Sequence, residues 1–225
     1  MLQSARAGPD QKLKIILGAY HKAGLAVLNQ ALAHPLITDV ALFTHDPMCG
    51  TPDLRRAAAN QGIWWTTGRL GVVAPPFKPD IISLVYYKYI VPPSVIDGVD
   101  GSIFNVHPSL LPRHRGCSSV PWSILEGDRL TGITYHYVTP KIDAGRILNQ
   151  SVLQISEFET AASLYERALT RAGELWLGAL TLVSEGYPGV PQESGGCYHK
   201  RGAPHDGIIS DLWDDDYIKW FIRAM

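Results

Sequence analysis

The chain has 225 residues, a formal net charge of −1, 46% apolar residues and 18% charged residues. That composition excludes intrinsic disorder, and one α/β domain of this size can bury a large core. The near-neutral balance argues against nucleic acid as a main partner, and no apolar run approaches the roughly 20 residues that span a bilayer. The three cysteines, Cys49, Cys117 and Cys197, are odd in number and widely spaced, so no disulfide framework is expected and a reducing cytoplasm is the simpler setting. The polar opening "MLQSARAGPDQKLK" shows no secretory h-region.

In chain order, "KLKIILGAY" predicts a buried first strand, and "HKAGLAVLNQALAH" a helix on the spacing of Leu25, Leu28 and Leu32. "ITDVALFTHD" predicts a second strand. "TPDLRRAAANQG" has a Thr cap candidate, an early Pro and a final Gly, the punctuation of a helix. "PDIISLVYYKYIVP" and "GSIFNVH" read as the third and fourth strands. Strands alternating with helices imply a mainly parallel, Rossmann-like α/β sheet. Beyond Pro112, "PWSILEG" reads as a short helix. "LTGITYHYVTPKIDAGRILNQSVLQI" reads as two strands around a loop. "ETAASLYERALTRAGELWLGALTLVSEG" is a long amphipathic helix ended by Gly186. A Gly/Pro-rich link, "YPGVPQESGG", leads to a tail with a helix at "DDDYIKWFIRAM".

The chemical groups are unequal. "GAYHKAG" follows a strand and opens a helix, but it is neither phosphate-loop pattern; His21 and Lys22 remain secondary phosphate candidates. Cys117, His107, His114, His136, Cys197 and His199 show no short ligand spacing, so no metal is expected. Asn105 and His107 are two apart at the end of an apolar strand and so share one side of it. The turn-rich run "PSLLPRHRG" follows. Asp143 sits in the tight loop "VTPKIDAG"; spacing alone does not bring it to His107.

Taken together, "FNVHPSLLPRHRG…WSILEGDRLTGITYHYVTPKIDAGRIL" resembles the signature of the folate-dependent formyltransferases: Asn-x-His, Ser-Leu-Leu-Pro, a Gly, then an Asp-x-Gly loop. The likeness runs from about "PDIISLVYYKYIVP" to "RILNQSVLQI". Within that family "YYKYIVP", "RGCSSVPWSILEG" and the tail "YHKRGAPHDGII" are similar to the nucleotide-sugar N-formyltransferases, with Ser118 and Ser119 where those carry Asn-Pro. The resemblance implies a catalytic domain over 1–186 and a C-terminal extension over 187–225. It implies formyl transfer from N10-formyltetrahydrofolate to the amine of a nucleotide-linked sugar such as dTDP-4-amino-4,6-dideoxyglucose, without a metal. His107 would act as general base, Asn105 as oxyanion donor and Asp143 as the orienter of His107. Tyr89, Ile90, Val91, Val138 and Ile142 would line the folate. Lys88, Lys200 and Arg201 would meet the diphosphate, and Tyr198 and Trp213 would face the base or fill core. Small molecules, not nucleic acid or membrane, are the expected partners, and a homodimer is allowed. The rivals are glycinamide ribonucleotide formylation and a silent nucleotide-sugar binder; the "YHKRG" tail opposes the first and the intact Asn105, His107 and Asp143 the second.

Overall fold

The computed structural model describes residues 12–225, so most of the polar opening lies outside the described residues. β1 (Leu13–Ala19), β2 (Ile37–Phe43), β4 (Ile81–Val85) and β5 (Ile103–His107) form where the aliphatic runs stand, joined through α1 (His21–Ala33) and α2 (Leu54–Asn60). β3 (Trp64–Thr66) adds a three-residue edge, and α3 (Pro93–Asp97) is a short turn of helix opened by Pro93. β7 (Leu130–Tyr137) and β8 (Ile147–Gln154) are the two later strands. The sheet runs β3-β2-β1-β4-β5-β7-β8. Its first five strands are parallel, and β7 and β8 join antiparallel. This is the mainly parallel α/β sheet expected.

Two buried clusters cover the sheet's faces. The larger contains Phe104, Val106 and Tyr135 beneath α1 and α5 (Ala161–Ser184), with Trp176 fully buried; the smaller contains Ile16, Phe43, Ile82, Leu84 and Ile103. Helix α5 starts at a reciprocal cap, Thr160 with Ser163, which satisfies amides the helix cannot. It is pinned to the sheet by polar bonds inside the core: the Trp176 indole N–H donates to Ser83 Oγ at 2.9 Å, and Tyr135 Oη donates to the Ala172 carbonyl at 2.9 Å.

The tail folds back. α4 (Ser119–Leu125) packs against α6 (Asp215–Ala224), and β9 (Tyr198–His199) pairs in parallel with β6 (Arg115–Gly116). Among the described residues no helix is long and apolar enough to cross a membrane.

Candidate active site

Alternation on β5 separates its side chains. Phe104 and Val106 face the α5 core, which turns Asn105 and His107 to the other side. The β5/β7 register sets His136 opposite Asn105. The run after His107 is held by its own polar groups: Ser109 Oγ donates to the Arg113 carbonyl at 2.6 Å, and Thr134 Oγ1 to the Ser109 carbonyl at 2.7 Å. Asp143 arrives on the loop between β7 and β8 in a left-handed backbone, φ 48°. Two residues on, only glycine fits, because a Cβ at position 145 would lie 1.7 Å from the Tyr137 carbonyl oxygen.

The fold therefore brings Asp143 to His107. Asp143 Oδ2 is 3.4 Å from His107 Nδ1, and Oδ1 is 3.5 Å from His136 Nε2. The Gly116 amide donates to Oδ2 at 2.9 Å. Each imidazole has its other nitrogen committed: His107 Nε2–H donates to the His114 carbonyl at 2.7 Å, and His136 Nδ1–H to the Tyr137 carbonyl at 2.8 Å. A carbonyl only accepts, so these bonds set both tautomers. The nitrogens left to take up a proton, His107 Nδ1 and His136 Nε2, both face one carboxylate. Asn105 Nδ2 donates to His136 Nε2 at 3.3 Å with one of its two hydrogens, leaving the second for a ligand.

Burial lowers the His107 pKa, against the opposite pull of Asp143 and the His114 carbonyl. Burial alone would raise that of Asp143, but His136, His107 and the Gly116 amide outweigh it and hold the carboxyl at about 2. The site thus keeps a carboxylate and a neutral imidazole side by side at neutral pH.

A cleft of about 910 Å³ opens over Asn105, His136 and Asp143. Tyr89, Ile90, Val91, Val138, Ile142, Lys88, Tyr198 and Arg201 line it. His107 lies behind that wall, 4% exposed. Arg69, which sequence reasoning missed, also lines the cleft and lies 4.4 Å over the Tyr89 ring. Lys200 is exposed outside the lining, and Trp213 packs among His205, Tyr217 and Phe221 at 4.8–5.1 Å. Lys22 pairs with Glu166, and His21 lies among tyrosine rings; neither lines the cleft. A larger groove of about 1300 Å³ runs between α6 and the ends of β7 and β8 and touches none of Asn105, His107 and Asp143. Gln192 was also missed. Its amide donates to the Asp143 and Gly145 carbonyls at 2.8 Å, while its oxygen accepts from Arg115. Such links between distant loops leave no local pattern to read.

The sequence profile of the Formyl transferase family matches residues 70–180, the span that carries this cleft. Over 200 residues the chain is 32% identical to the GDP-perosamine N-formyltransferase of Brucella melitensis, covering 84% of this chain and 75% of the relative. The chain belongs to the formyl transferase family and is a formyltransferase. The fold agrees with solved members. An N-formyltransferase from Helicobacter canadensis, solved with folinic acid and dTDP-3-aminofucose, superposes with a TM-score of 0.80 at 21% identity, covering 94% of this chain and 80% of that one. A 4-N formyltransferase from Francisella tularensis superposes at 0.75 with 19% identity, covering 97% and 89%.

Proposed function

We propose that the chain moves a formyl group from N10-formyltetrahydrofolate to the amino group of a nucleotide-linked amino-deoxy sugar. The observation that carries this reading is one cleft uniting Asn105, His136 and Asp143 with the cations Arg69, Lys88 and Arg201. Kinship with a GDP-perosamine N-formyltransferase supports the sugar class. In this reading Lys88 and Arg201 hold the diphosphate, since charge-assisted bonds are roughly twice as strong as neutral ones. The backbone around Tyr89–Val91, with Val138 and Ile142, meets the neutral ring system of the folate.

The sugar amine attacks the formyl carbon, forming a C–N bond and placing negative charge on the formyl oxygen. Asn105 donates its second amide hydrogen to that oxygen. His107 receives the ammonium proton at Nδ1 by way of a water molecule, because its Nε2 is already committed to the His114 carbonyl. Asp143 stabilises the imidazolium so formed. Cleavage of the bond to folate N10 restores the carbonyl, and the proton leaves with tetrahydrofolate. The nucleotide follows from the same reading as either dTDP, in dTDP-4-amino-4,6-dideoxyglucose, or GDP, as in the relative's substrate.

Parallel incubations with N10-formyltetrahydrofolate and dTDP-, GDP- or UDP-linked amino sugars or glycinamide ribonucleotide, followed by mass spectrometry, test the proposal. A sugar nucleotide heavier by one formyl group is the expected product. Formylation of glycinamide ribonucleotide alone would overturn it.

A further inference from the structure

Cys197 and His199 stand two residues apart, and the fold brings His114 and Glu126 to them, so that each of the four side chains offers a donor atom within 4.8 Å of the others. They come from three places: the turn before β6, the C-terminal end of α4, and the tail around β9. We propose that they form a structural site for a divalent, zinc-like cation that clamps the tail onto the catalytic loop.

The donor set, one sulfur, two imidazole nitrogens and one carboxylate, suits zinc. Tetrahedral zinc with Zn–N of about 2.0–2.1 Å and Zn–S of about 2.3 Å separates its donors by roughly 3.3–3.6 Å. Cys197 Sγ lies 3.5 Å from His114 Nδ1, and His114 Nδ1 lies 3.0 Å from His199 Nε2. Glu126 Oε1 stands 4.0 Å from His199 Nε2 on a half-exposed side chain able to close the remainder.

The surroundings match those of a metal centre. His114 Nε2–H donates to Asp128 at 2.8 Å, the carboxylate–histidine arrangement that turns the opposite nitrogen toward a cation. The His114 backbone amide donates to Cys197 Sγ at 3.2 Å, which holds the sulfur beside the imidazole of the same residue. Trp122 stacks on His199 at 4.4 Å and 10°, fixing the plane of that ring. Both histidines are buried. Without a cation the same atoms settle as a hydrogen bond from His199 Nε2–H to His114 Nδ1. Binding releases that proton and the Cys197 thiol proton to solvent, leaving two anionic and two neutral ligands around a doubly charged ion.

The site also touches the catalytic geometry. The carbonyl of the same His114 accepts from His107, and two residues later the Gly116 amide holds Asp143. A cation here fixes a backbone segment that orients both groups, without meeting substrate.

The purified chain, stripped by chelator dialysis, is titrated with Zn²⁺ against a chromogenic competitor and with Co²⁺ as a spectroscopic probe. The expected result is uptake of one cation per chain. The Co²⁺ form should show a sulfur-to-metal charge-transfer band and the strong ligand-field bands of a tetrahedral site. Cys197→Ser should remove the charge-transfer band, and Asp128→Asn should weaken Zn²⁺ binding about 10–100-fold. Zn²⁺ should raise the thermal midpoint of the native chain. Should Cys197→Ser fail to fold, Glu126→Gln, at the surface end of α4, carries the test with an expected weakening of at least about 10-fold. Absence of stoichiometric uptake by the native chain, or a foldable variant that binds as tightly with an unchanged Co²⁺ spectrum, overturns the proposal.

Discussion

Asp143 faces two imidazole nitrogens, and every other polar atom of those rings is tied to backbone. Asn105→Ala should lower kcat by about 10²–10³, the usual effect of losing one oxyanion donor. His107→Ala and Asp143→Ala should each be at least as damaging, and the double variant no worse than the poorer single one, because the groups act as a unit. Single-turnover rates check this; additive losses would sink the shared role. The pH profile gives an independent reading. Burial lowers the His107 pKa while Asp143 raises it. Asp143→Asn should therefore move the acid limb of kcat/KM to lower pH even as turnover falls, and a limb that stays in place would remove Asp143 from His107's control. At the cleft wall, Lys88→Ala and Arg201→Ala should raise KM for the nucleotide sugar more than for the folate, less so at high salt. Lys200, outside the lining, provides the comparison.

Strands and helices differ in how much of themselves they show in sequence. β1, β2, β4 and β5 were legible because a strand buried on both faces is a largely apolar run, interrupted here only by Lys14, by Thr38 and Asp39, by Ser83, and by Asn105 and His107. The expected third strand was too long: "PDIISLVYYKYIVP" is extended only over Ile81–Val85, since Tyr86 turns to φ 59° and starts the cleft wall. β3 escaped because three residues carry no period, and α3 because five residues form little more than one turn. Asn105 and His107 were readable from their i, i+2 placement, whereas His136 entered the site through strand register. No local signal joins Gln192 to Asp143 and Arg115, or Cys197 to His114. At this scale Gly116 gives the sharpest test. Its φ is 89°, and a Cβ there would lie 2.2 Å from the His199 carbonyl oxygen. Gly116→Ala should break the β6–β9 pairing and abolish most activity while the seven-stranded sheet keeps its circular dichroism. Normal turnover in that variant would show that the pairing is not needed.

The molecule as a whole should lose stability in acid, through histidines buried neutral. His45 is held at about 4, by burial first and then by the nearby Lys88 charge. The unfolded chain binds this proton near pH 6.5, so between pH 6.5 and about 4 the unfolded state holds more protons than the folded one. Stability from this group is complete above pH 6.5 and declines as pH falls through that window. Asp143 adds a second loss lower down, between its ordinary range near 4 and about 2. Urea midpoints at pH 7.5 and 5 should differ, and His45→Gln, which keeps an acceptor for the Lys88 amide, should flatten the difference; an unchanged slope would remove His45 from the account. The β6–β9 pairing bears finally on the order of events in synthesis. Arg115 and Gly116 leave the ribosome more than 80 residues ahead of Tyr198 and His199, their partners. Every strand of the main sheet is translated before the pairing can form, so Arg115 and Gly116 gain their partner only after the sheet's own strands exist. A chain truncated before Gln192 should therefore keep Asn105, His107 and Asp143 but lack the Gln192 and β9 contacts to Asp143, Arg115 and Gly116, and its turnover should fall far below that of the chain that carries them.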